Sequence, residues 1–189
     1  MNFLTDIIEQ EYNVKWAAMP ENKDKEKVLF FGHHPSDDGK LTKTCLSQWW
    51  RCKFTVNNRE YSSAEQFMMA AKAMLFGDTR VLNEIMQNTD PKIIKALGRQ
   101  IRGFEPNVWN KHKYTIVYYG NLMKFSQNED LKEFLLSTGD AMLAEASPYD
   151  SIWGIKLSNK DIRASDPNKW QGTNLLGFAL MQVRDNFNK

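Results

Sequence analysis

A mainly α-helical single domain with a few short β-strands is the fold class this chain predicts. Three observations carry it. Apolar residues recur at helical spacing in several long segments, each opened by a capping side chain or closed by glycine. Strand-like runs are few and short. The 189 residues suffice for one substantial core and are too few for two comfortable domains.

The elements follow in chain order. Residues 1–27 open with Phe3, Leu4, Ile7 and Ile8 at helical spacing and close in the charge run ENKDKEK, which reads as an appendage to a domain spanning 28–189. VLFF at 28–31 is a strand candidate, followed by the polar loop GHHPSDDGK. His33 and His34 are read there as solvated loop histidines, and no metal is expected. CKFTVNNREYSS reads as a hairpin turning at Asn57 and Asn58. A central helix then runs through YSSAEQFMMAAKAMLFGD, with Gly77 at its C-terminal end.

Asp90 before Pro91 starts the next helix, PKIIKALGRQIR, which Gly103 stops. Ile93, Ile94, Leu97 and Ile101 mark its buried face. A longer helix runs from about Trp109 to Phe125, and a short one, DLKEFLLST, ends at Gly139. AMLAEASPYDSIWG begins like a strand and continues as a loop. The chain closes with an amphipathic helix in TNLLGFALMQVRDNF. The count is about five helices.

Composition sets the limits on function. The chain is 42% hydrophobic and 25% charged, with a formal net charge of +2 that demands no nucleic acid. Cys45 and Cys52 show neither zinc nor disulfide spacing. The acidic, amphipathic N-terminus resembles no signal peptide, and no long apolar run appears, so a cytoplasmic protein without membrane association is expected. Between Lys92 and Lys124 stand seven Lys or Arg against Glu105 alone. Lys92, Lys95, Arg99 and Arg102 share one side of a helix, which is either a solvated face or a seat for a phosphate.

The central helix is the most informative segment. It is apolar all the way round except for Glu65 and Lys72, and a buried charge must be paired, hydrogen-bonded or used in chemistry. At ~100° per residue Glu65, Met69, Lys72 and Phe76 share an edge, with about 10 Å between the Cα atoms of the two charged residues. Each has an alternative. Ser62 followed by Glu65 fits a capping box, and Lys72 could snorkel to water. Glycine-rich phosphate loops, nucleophile elbows and zinc-protease motifs do not occur. Glu65, Glu145 and Asp150 remain as carboxylates of the kind that flank a glycosidic bond. Asp150 and Trp153 lie in the loop PYDSIWG, as an Asx turn and an aromatic lid or as functional groups.

Taken in order, YSSAEQFMMAAKAMLFGD, PKIIKALGRQIR, Trp109, the pair Lys124 and Phe125, LLSTGD, LAEASPYDSIWGI and WQGTNLLGFALMQVR resemble the NADAR superfamily, also called the YbiA-like family. The resemblance runs from about Val28 to Phe187. It implies a mostly helical YbiA-like fold and an N-glycosidase needing no cofactor and no obligate protein partner. It further implies catalytic Lys72, Glu65 and Asp150, with Arg99, Trp109, Lys124, Trp153, Gly154 and Asn174 contacting substrate. That substrate would be a phosphorylated N-riboside such as a riboflavin-synthesis intermediate, or else ADP-ribosylated guanine, with nucleic acid entering only as the modified substrate. A non-catalytic sensor of ADP-ribose is the reading from a different class. Gln66 stands where many members have histidine, and Lys156 where a glycine is usual.

Overall fold

The computed structural model describes residues 2–189, among which lie eight α-helices and four short strands. The mainly helical expectation holds. The chain divides into two compact units, one of residues 2–9 with Gln48–Glu129, the other of Gln10–Ser47 with Asp130–Lys189.

The first unit is built around its central helix. The hairpin joins β2 (Phe54–Val56) to β3 (Arg59–Tyr61), with β1 (Lys27–Phe30) lying in the other unit. Asn57 and Asn58 carry φ of 49° and 60°, the doubly left-handed turn that an Asn-Asn pair tolerates and whose twist matches the strands. Next comes α3 (Ala64–Leu75), nine of whose residues are buried. Around it stand α4 (Thr79–Met86), α5 (Pro91–Gly98) and α6 (Pro106–Ser126). Phe67 of α3 is wholly buried among Phe3, Tyr61 and Tyr119. α6 passes close by, because a Cβ on Gly120 would lie 2.6 Å from the Phe67 ring.

Several boundaries differ from the sequence expectations, each for a local reason. Phe3, Leu4, Ile7 and Ile8 form no helix; Phe3 is instead buried against Phe67, and the Ile8 amide donates to Thr115 Oγ1 at 2.9 Å. The cap of α3 is Ser63, whose Oγ accepts from the Gln66 amide, because the Ser62 carbonyl is taken by the Cys52 amide. The side chain that reaches back is that of Gln66, which accepts from the Ser62 amide, so the capping-box alternative for Glu65 does not describe it. Helix α4, absent from the expectations, is capped by Asp78. Helix α5 stops at Gly98 rather than Arg102, and Ile93 is 46% exposed.

The second unit has a parallel pair at its centre. β1 pairs with β4 (Met142–Glu145) in the register Lys27↔Met142 to Phe30↔Glu145. Ala144, Ala146, Ile155, Leu157 and Ala164 form a small core against which Leu29 and Trp170 pack. α8 (Leu175–Phe187) lies along β4 so closely that a Cβ on Gly177 would sit 2.2 Å from the Leu143 carbonyl oxygen. Two short helices, α1 (Val14–Ala17) and α2 (Pro20–Lys23), precede β1, and α7 (Glu129–Ser137) begins at the boundary of the units.

Candidate active site

Lys72, the first of the candidate residues, belongs to the first unit. It lies in the last turn of α3, half-buried, and its Nζ donates to the Gly98 carbonyl at 2.9 Å. The Phe104 ring stands over the ammonium at 4.3 Å, and the Trp109 ring at 5.5 Å. The snorkelling alternative is thus replaced by a nitrogen held between a carbonyl and two aromatic faces. Burial pushes its pKa below the ordinary lysine range, and the Glu65 carboxylate partly restores it.

Glu65 stands two turns earlier on α3 and is 2% exposed. Its backbone amide donates to the Gln48 carbonyl at 2.9 Å. Gln48 is fixed in turn, since its Oε1 accepts from Asn121 Nδ2 at 2.8 Å, and Asn121 also donates to Val117 O on its own helix. Gln66 is fully engaged as a brace: its Oε1 accepts from the Ser62 amide and hydroxyl, and its Nε2 donates to Ile85 O and Asn88 O.

The basic stripe is only partly a stripe. Arg99 is exposed at the end of α5, next to the glycine whose carbonyl holds Lys72. Lys92 is exposed, and Lys95 Nζ lies 5.6 Å from the Trp49 ring. Arg102 is tied to Asp78 by its backbone amide at 2.9 Å and by its guanidinium. Lys124, expected as a substrate contact, is 0% exposed beside Phe125 and lies in the interior of the unit.

The second unit gathers the other four expected residues around β4. Asp150 Oδ1 accepts from the Ile152 amide at 2.9 Å and the Trp153 amide at 2.8 Å, an Asx turn that shapes the loop. Gly154 is buried, and a Cβ there would lie 2.7 Å from the Glu145 carbonyl oxygen, so the loop passes the strand with no room for a side chain. Trp153 is half-buried. Asn174, expected to touch substrate, spends its amide on the edge of β4 that faces away from β1. Its Oδ1 accepts from the Glu145 amide at 3.0 Å and its Nδ2 donates to Leu143 O at 2.9 Å, as a neighbouring strand would. Lys156, at φ 56°, occupies the left-handed conformation for which glycine is the unstrained choice.

Sequence reasoning missed Phe104, Gln48, Asn121 and Asp78. Phe104 carried the one readable signal, a large aromatic beside Gly103 in the loop between two helices.

Residues 29–188 match the family model described as the NADAR domain. The chain belongs to the NADAR family. An N-glycosidase of Acanthamoeba polyphaga mimivirus is 45% identical to this NADAR chain over 165 residues, covering 85% of the chain and 96% of that protein. A riboflavin biosynthesis protein of Vibrio vulnificus is 29% identical over 140 residues, 74% of the chain and 34% of that longer protein. The NMR structure of Escherichia coli YbiA has the same fold, with a TM-score of 0.69 at 23% identity over 87% of this chain and 86% of that one. Among the described residues no helix is long and apolar enough to cross a membrane, and no group of three or more His, Cys, Asp or Glu is placed to hold a metal.

Proposed function

We propose that this NADAR chain is a hydrolase of N-glycosyl bonds that cleaves a phosphorylated ribosylamine, such as an intermediate of riboflavin synthesis, to the base and ribose 5-phosphate. The kinship with an N-glycosidase over nearly its whole length supports the reaction class. The observation that carries the mechanism is the Lys72 ammonium, half-buried beneath Phe104 and Trp109 with its pKa lowered.

An amine attacks carbon only when neutral, and desolvation is a recurring way of making a lysine neutral near physiological pH. In this reading the Glu65 carboxylate takes a proton from the ammonium. The freed lone pair of Nζ bonds to C1 of the ribose while the bond from C1 to the base nitrogen breaks. The departing nitrogen keeps that electron pair and takes the proton from Glu65. The Nζ proton then passes to the ring oxygen as the ring opens, leaving an iminium. Water adds to C1, and the sugar aldehyde and Lys72 are released. Asp150 is the second candidate proton carrier. Its Oδ1 shapes its own loop, and it would act through the other oxygen.

Arg99 is the candidate for the phosphate, since a guanidinium binds one in bidentate fashion. Trp109, whose ring stands near Lys72, or else Trp153 is the candidate for stacking on the base. Residues 1–27 are read as an extension of the 28–189 domain, and the free thiols of Cys45 and Cys52 suit a reducing cytoplasm.

Borohydride in the presence of the phosphoribosylamino-pyrimidine should trap a covalent adduct on Lys72, and Lys72→Arg should abolish both adduct and turnover. An active Lys72→Arg enzyme overturns the mechanism. The rate should fall as pH drops through the lowered pKa of Lys72, where the ammonium regains its proton. Comparing that substrate with ADP-ribosylated guanosine separates the two substrate classes by whether ribose 5-phosphate or ADP-ribose appears.

A further inference from the structure

Phe104 has no role in the reading above, yet its ring is nearer to Lys72 Nζ than any other aromatic contact of that nitrogen, at 4.3 Å against 5.5 Å for Trp109. The loop that presents it is fixed from several sides. Asp78 holds the preceding Arg102 by backbone and side chain, Gly103 turns the chain at φ 70°, and the Phe76 ring meets Phe104 edge-on at 5.3 Å. Apolar burial does not account for the placement, because Phe104 stays 39% exposed. What the placement achieves is a negative ring face directed at a nitrogen. Such a face attracts a cation and is indifferent to a neutral amine.

We propose that Phe104 stabilises the positive charge that the Lys72 nitrogen carries in the reaction, first as the resting ammonium and then as the iminium joined to C1 of the opened sugar. This deepens the reading of Lys72 as nucleophile and rests on it. The charge leaves Nζ when its proton passes to Glu65. It returns when the lone pair of Nζ forms the bond to C1 and the base departs with the C1–N electron pair. It stays through ring opening, when a proton moves from Nζ to the ring oxygen and the C=N double bond forms. The atom beneath the ring is the same throughout, so one aromatic face serves both cationic states. The Gly98 carbonyl assists by accepting the N–H that Nζ keeps.

The test replaces Phe104 in the full chain by phenylalanines bearing one, two and three ring fluorines, which drain the ring face with little change of shape. With the phosphoribosylamino-pyrimidine as substrate, and at a pH above the lowered Lys72 pKa, where the resting amine is neutral and only the reacting nitrogen is cationic, borohydride-trapped adduct and kcat should fall stepwise, by about two- to thirtyfold across the series. Phe104→Leu should lose at least as much. The Lys72 pKa, read without substrate from labelled lysine by NMR, should fall in the same order. An adduct whose yield and turnover ignore fluorination overturns the proposal alone, even if the resting pKa moves. No adduct in the unsubstituted chain overturns the Lys72 reading and the proposal with it.

Discussion

At the scale of single residues, Asp78 and Arg99 contrast a charge engaged on both sides with one left exposed. Asp78 is the clearest structural case. It caps α4 through the Val81 amide and holds the Arg102 amide and guanidinium, which together keep its carboxyl well below the usual range. A carboxylate depressed in the folded state stabilises above its ordinary pKa and loses that contribution as pH falls toward its folded value. Asp78→Asn should therefore lower Tm at pH 7, and the deficit should shrink as pH falls below about 4. A deficit of equal size at pH 7 and pH 3 would contradict this. Arg99, exposed and next to the Lys72 anchor, is the proposed phosphate contact. Arg99→Ala should raise KM for a phosphorylated substrate about tenfold or more while leaving KM for its dephosphorylated analogue unchanged, in keeping with a charge-assisted contact. An unchanged ratio of the two constants would remove Arg99 from the site.

At the scale of elements, the telling contact is the clasp between Asn174 and β4. Asn174 combines a left-handed backbone, φ 52°, with two hydrogen bonds to the edge of β4 that faces away from β1. The two demands can be separated. Asn174→Gly keeps the backbone free of strain and loses only the bonds, leaving a buried amide and carbonyl unmet, which should cost about 2–4 kcal/mol. Asn174→Ala adds the left-handed penalty, about 1 kcal/mol more. Urea midpoints with an unchanged m-value would show it, and a glycine variant as stable as the parent would refute the clasp. Legibility at this scale was uneven, for a physical reason. The Asn57–Asn58 hairpin, the Asp90–Pro91 helix start and the Gly77 stop were readable because each depends on the conformational preferences of a few adjacent residues. The cap of α3 was misplaced by one residue because Ser62 is claimed by Cys52 across the hairpin end, a contact no local pattern announces.

At the scale of the whole molecule, the N-terminal residues show how far packing departs from pattern. Phe3 was expected on a peripheral helix, and it is instead 4% exposed, with its ring 5.0 Å from Phe67 and 5.4 Å from Tyr119. Phe3→Ala should cost about 3 kcal/mol, the low end for a buried phenylalanine, because a terminal segment can withdraw. Phe31→Ala, at a ring 46% exposed, should cost less than about 1 kcal/mol. Equal costs would mean that Phe3 is not part of the core. The same contrast divides the candidate site. Sequence by itself determined the family, the mainly helical class and the oddity of two charges on an apolar helix, because motif order, helical period and capping chemistry are carried by neighbours in the chain. Tertiary structure alone decided that Lys124 is interior, that Asn174 clasps a strand, and that Lys72 lies under Phe104 with its Nζ donating to the Gly98 carbonyl. Burial and partnership are properties of residues brought together from distant parts of the chain, and the free energy that sets them exists only once those parts have met.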